Sequence, residues 1–197
     1  MMKSFLPPTL ENVLAVWKEW LGDRYAQSAD RVLTAIFQSI LPLNKEEDDI
    51  RVKCEVLNEL YSTVIFDTAT VARHISLANI DERLLRADIA LVDAIKEVTF
   101  PSGRSRELYS FTTKYCHFHR PDIYPIFDRY VCEALWHINR EHEFSGLLTQ
   151  KECMRTYTIF VRVLHDFCEH FGIKGLSYKQ VDKYLWAYGN LLVSKKL

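Results

Sequence analysis

Apolar residues recur at intervals of three and four along nearly the whole chain, the pattern of helices that each bury one stripe. Val13, Val16, Trp17 and Trp20 follow Thr9, a helix-capping residue, and their run stops at Gly22. Ser28 or Asp30 opens a second helix with Val32, Leu33, Ile36, Phe37 and Ile40 inward, stopped by Pro42. Asn44-Lys45-Glu46-Glu47 has the form of a capping box, and the acids up to Asp49 suit the positive end of a helix dipole. Val52, Val56, Leu60 and Val64 give that third helix its stripe. A short helical segment follows near residues 68–77, and Asp81-Glu82 opens a helix through Leu84, Leu85, Ile89, Val92 and Ile95.

The turn Pro101-Ser102-Gly103-Arg104 interrupts the pattern and leads into a helix over roughly residues 105–119. Beyond Pro121 and Pro125, Asp128 caps a helix whose inward positions are Val131, Leu135 and Ile138. Thr149-Gln150-Lys151-Glu152 reads as a second capping box, starting a helix with Met154, Tyr157, Val161, Leu164, Cys168 and Phe171 on one face. Gly172 and Gly175 end it, and Ser177-Tyr178-Lys179-Gln180 caps the last helix, with Val181, Leu185, Tyr188 and Leu192 inward. No segment alternates with the period of a strand, and no internal repeat is visible. The expected fold is all-α, a single compact multi-helix domain over residues 1–197.

Composition narrows the class. With 48% apolar and 26% charged residues the chain folds rather than staying disordered. Its formal net charge of −1 creates no global field toward nucleic acid or a membrane, so a polyanionic partner needs a local patch. Apolar runs fall well short of the roughly 20 residues of a membrane span, and no membrane partner is expected. The start of the chain lacks the apolar core of a signal peptide. Five cysteines without a Cys-x-x-Cys spacing point to a reduced, cytoplasmic protein.

Candidate chemistry concentrates between Arg104 and Arg129. In the helix before Pro121, Leu108, Phe111, Tyr115 and Phe118 line one face, and Lys114 lies roughly 80° from its centre. A flanking lysine partly withdrawn from water, near Arg106 or His117, would have its pKa lowered toward the nucleophilic range. The competing reading is a lysine whose stem covers the core. Asp128, 14 residues later, is explained structurally as a cap; the same position keeps its carboxylate ionised. An ionised carboxylate beside an amine can stabilise a developing sugar cation or accept a proton. Five basic residues (Arg104, Arg106, Lys114, Arg120 and Arg129) stand here against three acids, with His117 and His119 among them. The resulting local excess of +2 suits a phosphate-contacting face. Tyr109, Tyr115, Tyr124 and Tyr130 interleave, either to stack a base or to fill the core.

The stretch Ser110-Phe111-Thr112-Thr113-Lys114, continued by Pro121-Asp122-Ile123-Tyr124-Pro125-Ile126-Phe127-Asp128-Arg129-Tyr130-Val131, resembles the signature of small prokaryotic 8-oxoguanine DNA glycosylase-like proteins. Those are divergent relatives of the helix-hairpin-helix glycosylases. The segment from Leu176 to Gly189 resembles the same family's C-terminal part, so the resemblance covers about residues 104–190. It implies a helix-hairpin-helix domain that flips a damaged purine out of double-stranded DNA. Lys114 would attack the sugar C1′ and Asp128 would assist, with strand nicking through the Schiff base and no cofactor. Ser110-Phe111-Thr112 stands where the superfamily carries a phosphate-binding Gly-x-Gly turn. That position assigns DNA contact to Ser110, and the local basic charge assigns it to Arg104, Arg106, His117, His119, Arg120 and Arg129. The alternative is a catalytically inactive DNA- or protein-binding module with the same fold. Metal binding has little support: His117 and His119 diverge by roughly 200° on a helix, and His165 with Glu169 lacks a third ligand.

Overall fold

The computed structural model describes residues 5–195. It is 66% helix and 3% strand, so the expected all-α class is what forms. The residues gather into two compact units, one running from Tyr25 to Tyr124 and the other joining the chain up to Arg24 with the chain from Pro125 onward.

The 25–124 unit holds α2 (Arg24–Ala35) apart from its first residue; this helix widens into a π turn at Ile36–Ile40, and α3 (Glu47–Tyr61) and α4 (Thr68–Leu77) follow. Two short helices, α5 (Asp81–Leu85) and α6 (Leu91–Ile95), precede a hairpin of β1 (Glu97–Thr99) and β2 (Ser105–Glu107), and α7 (Tyr109–His119) closes the unit. The hairpin corrects the expectation of no strand and of a helix from residue 105. Gly103, at φ +78°, lets the chain reverse, and Val98 pairs with Arg106 across the antiparallel ladder. The single helix expected from Asp81 to Ile95 is broken because Asp88 holds Arg83 at 2.7 Å and accepts from the Ala90 amide, which restarts the helix. The second helix begins at Arg24 rather than at Ser28 or Asp30.

Helix α3 turns a different face inward from the one expected. Ile50, Lys53, Cys54 and Leu57 are buried, while Val52 and Leu60 are exposed; Val64 lies past the helix end and is exposed as well. Its start departs as well: the helix begins at Glu47, and the Asn44 side chain donates to the Asp81 carboxylate instead of capping. Helix α7 is the centre of this unit. Nine of its eleven residues are buried, Lys114 and His117 among them, so no solvent-facing side remains for the expected one-sided stripe. Contacts with α3, α6 and the π turn surround it.

The other unit contains α1 (Leu10–Gly22), α8 (Arg129–His142), a 3-10 turn at Lys151–Arg155, α9 (Tyr157–His170) and α10 (Tyr178–Lys195). Thr9 accepts from the Asn12 amide and Asp128 from the Val131 amide, so both expected caps form. Ser177 and Gln180 complete a reciprocal capping box before α10. The box expected at Thr149 does not form. The Thr149 hydroxyl contacts Cys153 Sγ, and extended backbone at Thr156 delays the α-helix to Tyr157. Helix α10 packs on α1 and α8, with Val181, Leu185, Tyr188 and Leu192 buried as expected.

Candidate functional site

A shallow recess of about 270 Å³ opens in the 25–124 unit between the end of α3 and the start of α7. Tyr61 and Thr63 line one side, Arg106 and Glu107 of β2 another, and Ser110 and Lys114 of α7 a third. Lys114 is only 5% exposed, yet its amine reaches this opening. The amine donates to Ser110 Oγ at 2.5 Å and more weakly to the Ser110 carbonyl at 3.4 Å. The Tyr61 ring lies 5.7 Å away, close enough for a cation–π contact. Residues 110 and 114 meet because positions four apart share a helix face. The hairpin then brings Arg106 to the same place.

Asp128 belongs to the other unit, where its Oδ1 accepts from the Val131 amide at 2.9 Å. That bond accounts for an aspartate at this position. Replacing Asp128 with asparagine keeps an equivalent cap, so thermal unfolding should shift by well under about 1 kcal/mol; alanine should cost about 1 kcal/mol. A large loss of stability in the asparagine variant would show that the carboxylate does more than cap.

The residues assigned to DNA contact divide. Arg104 and Arg106 are exposed on the hairpin, and Arg129 is exposed at the start of α8. Arg120 turns back to donate to the Leu84 carbonyl at 3.1 Å, with Asp122 3.4 Å from the same guanidinium. His117 is buried with Nδ1 2.8 Å from the Tyr124 carbonyl oxygen, so its ring faces inward rather than toward a phosphate. His119 is the clearest departure from the basic-patch reading. Burial, with Lys53 as a second cause, lowers its pKa to about 3, so it is neutral near pH 7. Its ring sits among Phe37 and Tyr115.

The sequence reading missed a buried polar cluster beside these rings. Lys53 is 0% exposed; its amine donates to Asn44 Oδ1 at 2.6 Å, the Leu43 carbonyl at 2.8 Å and the Leu41 carbonyl at 3.2 Å. The Tyr115 hydroxyl also donates to Asn44 Oδ1, at 2.6 Å, and the Asn44 amides donate to Asp81. Burial lowers Lys53 to about 8 and pushes Tyr115 well above its ordinary range. One signal was available: Lys53 interrupts the stripe Ile50, Cys54, Leu57 at its i+3 position.

Among the described residues no three His, Cys, Asp or Glu side chains gather as metal ligands; His165 Nδ1 lies 3.8 Å from a Glu169 carboxylate oxygen. No helix among them is long and apolar enough to cross a membrane.

A family model for an N-terminal domain, HI_0787_N, matches residues 9–123, more than half the chain. The chain belongs to the HI_0787_N family. The match ends one residue before the boundary of the 25–124 unit, so the recess and the Lys53 cluster both lie inside the family's domain. Asp128 and Arg129 lie beyond the matched residues. The chain is also similar to an uncharacterised protein of Haemophilus influenzae, with 38% identity over 139 residues, 70% of this chain and 65% of that protein. It therefore spans just under two thirds of that relative's length. No solved structure matches it.

Proposed function

We propose that the protein is a DNA N-glycosylase, with strand-nicking activity, that acts on an oxidised purine such as 8-oxoguanine through Lys114. The observation that carries this reading is a shielded amine at the edge of an open recess, beside an exposed arginine. The neutral amine attacks C1′ of the flipped nucleotide. The bond from C1′ to the base breaks with its electron pair on the base, which takes up a proton. The sugar ring then opens to a Schiff base on Lys114, from which elimination breaks the strand. Asp128 has the assisting role on the strength of the sequence motif alone. Arg104 and Arg106 are the phosphate contacts that their exposure and charge favour.

Borohydride trapping tests the proposal. Wild-type protein should form a covalent adduct with duplexes carrying an abasic site or 8-oxoguanine, while Lys114→Gln should form none. Equal trapping by both proteins, or none by the wild type, rejects Lys114 as the nucleophile. A non-catalytic binding module is the second reading, and exposed apolar side chains in the family domain favour a protein partner for it. Phe66 is 90% exposed and Leu85 77%. Absence of trapping together with retained association would move the assignment there.

A further inference from the structure

We propose that Ser110 is the positioning residue for Lys114, fixing where the amine sits in the recess and setting the pH at which it reacts. The reaction it serves is the one proposed above, and the inference rests on that reading for its biological meaning. The geometry does not depend on it. Two acceptors for the amine come from this single residue one turn earlier: the hydroxyl at 2.5 Å and the carbonyl at 3.4 Å. The stem of Lys114 is enclosed, so a change of acceptor changes where the amine rests.

Tyr61 of α3 presents its ring at 5.7 Å, and Arg106 and Glu107 of β2 and Tyr109 of α7 line the same recess. Glu107 is engaged by Lys96 at 3.3 Å, and the Tyr109 ring lies 4.9 Å from the Lys96 amine. The Ser110 hydroxyl, 2.5 Å from the amine, lies closer to it than the Tyr61 ring. A hydroxyl that accepts from an ammonium favours the charged form, so its removal lets the amine lose its proton at lower pH. The same removal releases the amine from one geometry and slows attack by the neutral form. Loss of Ser110 therefore moves the pH profile to the acid side while lowering its plateau. A side chain that merely filled space would leave the profile in place.

The test uses the full chain and pyridoxal 5′-phosphate, an anionic aldehyde, with borohydride to fix the imine. Peptide mass spectrometry then follows labelling at Lys114 from about pH 6 to about pH 10. Ser110→Ala should lower the plateau rate by about tenfold and shift the midpoint to the acid side by about one unit. Ser110→Thr, which keeps the hydroxyl, should hold both near wild type. An unchanged midpoint and plateau in Ser110→Ala overturns the proposal, as does the absence of a Lys114 adduct in wild type while other lysines label. If the alanine variant does not fold, Ser110→Cys, a weaker acceptor, must move the midpoint in the same direction; an unmoved midpoint overturns the proposal equally. Labelling that depends on Ser110 without trapping on abasic DNA would reject the DNA reaction alone. Trapping on abasic DNA that is indifferent to Ser110→Ala would reject the positioning role alone.

Discussion

Gly189→Ala should unfold the protein or lower its melting temperature by about 10 °C or more, a loss of about 4 kcal/mol. A Cβ at this position would lie 1.9 Å from the Tyr130 carbonyl oxygen, 2.5 Å from its carbon and 2.9 Å from its Cα. All three are backbone atoms of α8, so relief requires the two helices to move apart rather than a side chain to turn. That movement would open the α8–α10 contact, where the Tyr130 ring packs on Trp186 and His137 on Tyr188. In an isolated helix the same substitution gains about 1 kcal/mol. A stabilised or unchanged variant in thermal denaturation would mean that α8 and α10 do not meet as described.

Lys53→Met should cost about 3 kcal/mol, because it keeps much of the volume but leaves the Leu41 and Leu43 carbonyls without this buried donor. Asn44 Oδ1 would retain its bond from Tyr115. The pH dependence identifies the cause. Burial lowers the folded-state pKa of Lys53 from 10.5 to about 8. Below about pH 8 the ammonium is charged in both states and its burial costs most. Between about 8 and 10.5 the unfolded chain keeps a proton that the folded protein has lost, so stability from this residue rises with pH. Lys53→Met lacks that rise, and its deficit should widen across this window in denaturant titrations. The opposing effect of buried Cys54, raised to about 12, is present in both proteins and largely cancels in the difference. A deficit that is flat or shrinks across the window would show that Lys53 is not held as described.

Sequence legibility followed the range of the interaction. The starts of α1, α8 and α10 were readable because each cap closes within three residues, at Thr9, Asp128 and Ser177. The proximity of Ser110 to Lys114 is likewise implicit in a helix, since residues four apart share a face. The inward stripe of α10 was readable because Val181, Leu185, Tyr188 and Leu192 recur at intervals of three and four.

Other features required the tertiary structure. In α3 the sequence offers two apolar faces, and the one that includes Lys53 prevails because Leu41, Leu43 and Asn44 supply acceptors for the amine. Asn44 is drawn away from capping by Asp81, 37 residues later. The hairpin depends on pairing between strands too short to carry a periodic signal, and it brings Arg106 to the recess. His119 reads as a basic residue until burial beside Phe37 and Tyr115 makes it neutral. The sequence by itself determined the helical class, the principal caps and the lysine at the centre of the proposed chemistry. The tertiary structure decided which helix faces turn inward, which polar groups are satisfied there and which basic residues keep their charge. Caps close on local bonds, whereas burial and charge depend on partners far away along the chain.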